Sequence, residues 1–180
     1  REGYLDGLMP HQFPLIPGWD VAGIVKDVGI GITAFAVGDA VWSYCRKEIV
    51  QYGSYADYIV LPEHLVAKKP EAFSFEQAAG VPLAALTAYQ SLFEAGNMHE
   101  GDTVLVQAAA GGVGHFAVQL AKHAGATVVA TASSRNHDFL VELGADHTID
   151  YREQNVTDAV RECCPNGVDV ACDFVGDDVT

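Results

Sequence analysis

The chain has 180 residues, 49% of them apolar, enough to bury a sizeable core in one domain or in parts of two. Acidic residues outnumber basic ones 24 to 10, and a net charge of −14 argues against nucleic acid or an anionic membrane as the main partner. No run of about 18 apolar residues occurs, so a transmembrane helix is not expected.

The four cysteines, Cys45, Cys163, Cys164 and Cys172, have the spacing of neither a disulfide framework nor a zinc knuckle. Free thiols in a reducing cytoplasm fit best, and a cytoplasmic location is expected. No basic-then-apolar signal segment is visible. The chain opens at Arg1 without Met and stops at Thr180 straight after an apolar run, so both ends read as cuts through a longer protein.

Up to about residue 80 the chain is turn-rich and strand-like. Residues 21–28, 40–44 and 55–61 read as short strands punctuated by Gly and Asp. Gly38-Asp39-Ala40-Val41 is a turn feeding a strand, and the same device returns at Gly101-Asp102-Thr103-Val104. Ser74 begins a helix: with Gln77 it has capping-box spacing, which gives two orphan backbone donors their partners. Pro82 interrupts the pattern, and a second helix is predicted over 83–95, stopped by Gly96.

From residue 103 strands alternate with helices. Residues 103–108 are a buried-strand run, and Val113, Ala117, Leu120, Ala121 and Ala124 then fall at helical spacing up to Gly125. A strand over 127–132, a helix over 136–143 closed by Gly144, and a strand over 147–150 follow. A polar helix over 154–164 breaks at Pro165-Asn166-Gly167, before a strand over 168–175. This alternation predicts an α/β fold with a parallel, doubly wound sheet. Four strands are about two-thirds of a six-stranded dinucleotide-binding sheet.

Between the first of these strands and its helix stands Ala109-Ala110-Gly111-Gly112-Val113-Gly114. Against the pattern G-x-G-x-x-G, Ala109 replaces the first glycine, and Gly111 and Gly114 hold the other two. Small residues are needed because a pyrophosphate sits against backbone N–H groups at a helix N-terminus, and Gly114 lets the helix pack close to the strand. The strand-loop-helix setting favours a dinucleotide site over a bare glycine-rich turn. An NAD site carries Asp or Glu at the end of the second strand, on the ribose 2′-hydroxyl. Here that strand ends Thr131-Ala132-Ser133-Ser134-Arg135, and no acid appears before Asp138. Hydroxyls and a guanidinium suit a 2′-phosphate, so NADPH is the expected cofactor.

Pro17-Gly18-Trp19-Asp20-Val21-Ala22-Gly23-Ile24-Val25 is similar to the segment of medium-chain dehydrogenases where the zinc enzymes carry Gly-His-Glu. Gly38-Asp39-Ala40-Val41, Gly53-Ser54-Tyr55-Ala56-Asp57-Tyr58, Ala78-Ala79-Gly80-Val81-Pro82 and Leu86-Thr87-Ala88-Tyr89 also resemble this superfamily. The loop over 108–114 is typical of its quinone reductase branch. In order and over essentially the whole chain, these motifs resemble the zinc-independent quinone oxidoreductase (zeta-crystallin-like) branch of the medium-chain dehydrogenase/reductase superfamily.

The resemblance implies part of a β-rich GroES-like catalytic domain over 1–79 and part of a Rossmann-type NADP-binding domain over 80–180, with the active site in the cleft between. It also implies that Thr87 lies near the nicotinamide and that Tyr151, in Asp150-Tyr151-Arg152-Glu153, stands beside the 2′-phosphate with Ser133, Ser134 and Arg135. Trp19-Asp20 stands where His-Glu would be, no cysteine cluster follows Val41, and the histidines lack ligand spacing. No metal site is therefore expected.

Hydride transfer then rests on cofactor positioning. The developing enolate or quinol oxygen needs hydrogen-bond donors and a proton. Tyr4, in an early loop where the family often has a tyrosine, is the first catalytic candidate and Tyr52 the second, since a phenol donates without being charged. The expected activity is NADPH-dependent reduction of a small-molecule quinone or α,β-unsaturated carbonyl, in a homodimer. A related zinc-free carbonyl or enoyl-thioester reductase or alcohol dehydrogenase is the alternative, and a non-catalytic family member the remote one.

Overall fold

The computed structural model describes Gly7 and residues 9–176. By backbone proximity the chain divides after Leu83 into two units. In the first, β1 (His11–Ile16), β2 (Asp20–Ile24), β3 (Ala40–Tyr44), β4 (Val50–Tyr52) and β5 (Ala67–Lys68) form two small sheets, β1 beside β4 and β3 between β2 and β5. β2 and β3 are antiparallel, with Asp20 opposite Tyr44 and Ile24 opposite Ala40. The turn into β3 follows its residues: Gly38 has φ +100°, a conformation that favours glycine, and Asp39 Oδ2 accepts the Ala36 N–H at 3.0 Å. At the second copy of this turn, Gly101 has φ +90° and Asp102 Oδ2 accepts the His99 N–H at 2.7 Å.

The strand expected over 21–28 ends at Ile24, and the one expected over 55–61 does not form. Pairing runs out just before it, where the Gly53, Ser54 and Tyr55 N–H groups donate to the Ile16, Gly18 and Pro17 carbonyls at 2.8–3.0 Å. Tyr55 and Val60 are 78% and 85% exposed. Aromatic and β-branched residues favour strands because they pack on a half-buried pleated surface, and here no such surface receives them.

α1 (Phe75–Ala79) starts on the capping box read from the sequence: Ser74 Oγ accepts the Gln77 N–H at 3.2 Å, and Gln77 Oε1 accepts the Ser74 N–H at 3.0 Å. Pro82 opens α2 (Pro82–Tyr89), since the first helical residue needs no N–H donor. The helix continues as a π-helical turn, Gln90–Ala95, and ends at Gly96. The left-handed residue at this end is Asn97, with φ +49°. Gly96 is needed for close approach, because a Cβ there would lie 2.8 Å from both Ser91 O and Val170 Cγ1.

In the second unit β6 (Thr103–Val106), α3 (Gly114–His123), β7 (Thr127–Thr131), α4 (His137–Glu142), β8 (His147–Ile149), α5 (Val156–Cys163) and β9 (Val170–Cys172) follow in order. The four strands are parallel, arranged β8-β7-β6-β9. Side chains along them alternate between two cores. Val104, Val106, Val128 and Ala130 pack with Ala117 and Ala121 of α3, whereas Leu105, Val129 and Ile149 pack with Ala159 and Val160 of α5. Helices therefore cover both faces, as the doubly wound arrangement requires. The chain builds outward from β6 to β8 and then returns to the other side of β6 as β9. That reversal is the switch point at which such sheets open a crevice for ligands. Among the described residues no helix is long and apolar enough to cross a membrane.

Candidate functional site

β6 stops two residues earlier than its sequence suggests and gives way to a turn. The Gln107 N–H still donates to Cys172 O at 2.9 Å and the Ala109 N–H to Thr131 O at 3.0 Å, but Ala108 between them takes φ +49°. The Gly111 N–H closes the turn onto Ala108 O at 2.8 Å, and α3 begins with no side-chain cap at Val113. A Cβ on Gly114 would lie 2.7 Å from Ala109 Cα and 2.8 Å from Ala109 O, and closer still to Ala108 O. Glycine is what lets α3 start against the end of the strand. A Cβ on Gly111 would meet Ala108 O at 3.1 Å, whereas one on Gly112 would point into open space.

The strained position of this loop is thus Ala108, one residue before the first one expected. A left-handed alanine costs roughly 1–2 kcal/mol, and a glycine there returns part of that gain through a freer unfolded chain. Ala108→Gly is expected to raise the unfolding free energy by about 0.5–1 kcal/mol, measured as a higher denaturant midpoint at unchanged slope. A lower midpoint would mean that the alanine methyl packs well enough to outweigh its backbone.

At the carboxyl ends of the parallel strands lies a cavity of about 340 Å³. Its lining brings together Ala110 and Gly111 of the loop, Ser133 and Arg135 after β7, and Tyr151 after β8. Ala109 is buried in the core with its N–H used by the sheet. Gly112, Val113, Gly114 and Ser134 do not line the cavity. Other lining residues were not assigned to the site from the sequence, Ala108, Arg152 and Gln107 among them. Ala108 carries the turn. Arg152 neighbours Tyr151, and its guanidinium lies 5.7 Å from that ring. Gln107 is a polar residue at the end of an apolar strand run, which was the available signal.

The loops after β7 and β8 are tied by one carboxylate. Asp150 Oδ2 accepts the Ser134 N–H at 2.8 Å, and Oδ1 accepts the Arg152 N–H at 3.0 Å. The Arg152 N–H above all, helped by the Ser134 N–H, holds this carboxyl below the usual aspartate range although burial works to raise it. A folded-state value below the unfolded one means the tie is at full strength above the ordinary carboxylate range, near pH 4, and is lost as pH falls through the folded value. Asp150→Ala is expected to weaken nicotinamide-dinucleotide binding several-fold at pH 7 and to flatten the loss of stability below about pH 4. Calorimetric titration and acid unfolding measure the two effects; wild-type behaviour in both would show that the loops stand without this carboxylate.

The remaining expected residues lie elsewhere. Thr87, on α2, lines a separate cavity of about 480 Å³ with Gln90, Ser91, Glu94 and Ala95. Tyr52 ends β4 in the first unit, exposed, with Lys47 Nζ 6.0 Å from its ring centroid. Tyr4 lies outside the described residues. Where the resembling zinc enzymes carry His-Glu, the Trp19 ring lies 5.6 Å from the Arg46 guanidinium, and Asp20 Oδ1 accepts the Leu83 N–H at 2.7 Å. Burial pushes the Asp20 carboxyl up, against the pull of that N–H. The cysteines are free thiols, and burial raises Cys45 and Cys172. Among the described residues no group of three or more His, Cys, Asp or Glu is arranged to hold a metal ion.

Two family models match the chain, "Alcohol dehydrogenase GroES-like domain" over residues 2–71 and "Zinc-binding dehydrogenase" over residues 112–180. The chain is 41% identical over 157 residues to a chloroplastic quinone-oxidoreductase homolog of Spinacia oleracea, a match covering 84% of this chain and 47% of that protein. It is 43% identical over 169 residues to the 2-methylene-furan-3-one reductase of Solanum lycopersicum, covering 91% of this chain and 42% of that protein. Among solved structures, a mycobacterial protein complexed with NADPH superposes with a TM-score of 0.84 at 36% identity, over 97% of this chain and 54% of that one. The chain spans less than half the length of these two curated relatives. Its fold is a partial Rossmann-type sheet preceded by part of a β-rich GroES-like domain. The chain belongs to the medium-chain dehydrogenase/reductase superfamily, a family of oxidoreductases, in its quinone oxidoreductase branch.

Proposed function

We propose that this chain is part of an NADPH-dependent reductase that delivers hydride to a quinone or an α,β-unsaturated carbonyl without a metal. The observation that carries the reading is the lining of the 340 Å³ cavity, which includes Arg135, Arg152, Ser133 and Tyr151 and no Asp or Glu. An acidic residue there would suit a ribose 2′-hydroxyl, whereas this set suits a 2′-phosphate. The phosphate loop fits as well, because Ala110 and Gly111 line the cavity without a bulky side chain and Gly114 lets α3 begin close against the strand end.

When bound, NADPH supplies the hydride. The residues of the chain then have separate tasks. The loop over 109–114 takes the pyrophosphate, while Ser133, Ser134, Arg135, Tyr151 and Arg152 take the adenosine end. Thr87 orients the nicotinamide end, and Tyr4 and Tyr52 are the donors for the developing substrate oxygen. In this reading residues 1–79 belong to the catalytic domain and 80–180 to the cofactor domain, and the whole protein works as a homodimer in the reducing cytoplasm. The substrate class is supported by the two relatives, one named for a quinone and the other for 2-methylene-furan-3-one, an α,β-unsaturated ketone.

A metal-free reaction is supported by the residues at the zinc position: an indole offers no ligand, and the Asp20 carboxylate is already engaged by the Leu83 N–H. Elemental analysis of active full-length protein is expected to find no stoichiometric zinc. The activity test is NADPH oxidation by full-length protein with a panel of quinones, enones, enoyl thioesters and alcohols. Fastest turnover with a quinone or enone is expected. A preference for enoyl thioesters or alcohols moves the protein to another reductase class, and no turnover with any of them overturns the reading.

A further inference from the structure

Gln107 follows β6 and is fixed at its backbone, where its N–H donates to Cys172 O at 2.9 Å. Gln107 lines the 340 Å³ cavity, is only 4% exposed, and has a buried carbonyl oxygen, Oε1, with no hydrogen-bond partner. Leu105, two residues earlier on the same side of the strand, is buried and apolar, so packing alone would favour an apolar side chain here. A buried amide oxygen left unpaired is costly, and such groups are rare in folded proteins.

The polar map of the cavity is divided. Arg135, Arg152, Ser133 and Tyr151 can donate hydrogen bonds and suit an anion. As the amide is placed, Oε1 of Gln107 accepts and suits a hydroxyl or amino donor. A ligand that satisfies the whole lining carries both an anionic group and a hydroxyl or amino donor. The terminal amide torsion of glutamine is broad, so the amide can turn to meet a group entering the cavity.

We propose that Gln107 is a binding residue for the nucleotide, its amide oxygen accepting a hydrogen bond from a ribose hydroxyl or from the adenine amino group. This rests on reading the cavity as a dinucleotide site. It assigns Gln107 to the part shared by NADPH and NADH, and so separates it from the guanidiniums that face the extra phosphate.

The test uses full-length protein, with dissociation constants for NADPH, NADH and the hypoxanthine analogue of NADPH, which lacks the amino group. Gln107→Met keeps the volume and removes the amide. It is expected to weaken NADPH and NADH equally, by roughly tenfold, the value of one hydrogen bond to a buried group. Equal weakening of the hypoxanthine analogue assigns the donor to ribose; an analogue already weak in the wild type and not weakened further assigns it to the amino group. The melting temperature without cofactor should stay level or rise, because the variant removes an unpaired group. A residue kept only for packing would behave in the opposite way, and a lower melting temperature with unchanged binding overturns the proposal. The Ala110→Trp variant, which fills the cavity, separates the two claims. If it abolishes NADPH binding while Gln107→Met changes none, the cavity reading stands and the Gln107 assignment falls. If it leaves binding intact, both fall.

Discussion

Gly114→Val is expected to abolish detectable NADPH binding and to destabilise the second unit by about 3 kcal/mol, at the upper end of what overpacking costs. The clash is with backbone. Even a Cβ would stand 2.7 Å from Ala109 Cα and 2.8 Å from Ala109 O, and Ala108 O is nearer still. No side-chain rotation relieves such contacts, so α3 must move off the end of β6. That movement pulls Ala117, Val118 and Ala121, fully buried on α3, away from the sheet. It also displaces the first-turn N–H groups that would face a pyrophosphate. Gly114→Ala should show most of the same loss. Gly112→Ala is the contrast, since a Cβ there meets nothing within 4 Å, and its stability should stay within about 0.5 kcal/mol of wild type. Thermal unfolding and NADPH titration of full-length protein read both effects. A stable Gly114→Val protein that binds NADPH normally would show that this loop is not the phosphate site.

The parallel sheet was the most legible part of the sequence because its central strands β6 and β7 are buried on both faces and each connection is a helix with its own stop. Periodicity, glycine ends and apolar runs all point the same way in residues 103–172. The first unit was less legible. Its strands are short and half exposed, so β1, β4 and β5 leave little periodic trace, while Tyr55 and Val60 carry strand-like chemistry yet stay exposed outside any strand. In the site, composition was readable and conformation was not. Ser133, Arg135 and Tyr151 were visible as residue types following strands. The left-handed turn fell on Ala108, a residue whose side chain gives no hint of positive φ. Asp150 was visible only as a neighbour of Tyr151, because its task of joining two loops depends on two backbone N–H groups that come together in the fold.

Arg135→Ala should weaken NADPH binding at least tenfold and leave NADH binding unchanged. NADH lacks the 2′-phosphate, so any residue serving that group alone is silent toward it. A charge-assisted contact is worth roughly 1.5–3 kcal/mol, or about a ten- to hundredfold change in affinity. Arg135 is exposed, and Arg152 lines the same cavity, so the single substitution belongs at the lower end. Replacing both arginines should carry the loss toward the upper end, by more than the product of the single effects if each partly compensates for the other. The rest of the chain makes the local charge matter more. These 180 residues carry a net charge of −14, which repels an anionic cofactor at long range, and the guanidiniums supply attraction close by. Added salt should therefore weaken NADPH binding to the wild type more than to the double variant, because screening acts on the contact that the variant lacks. Dissociation constants for both cofactors at two salt concentrations decide the matter. Equal weakening of NADPH and NADH would assign Arg135 to the shared part of the cofactor or to the fold, and a wild-type protein that prefers NADH would remove the argument for a 2′-phosphate pocket altogether.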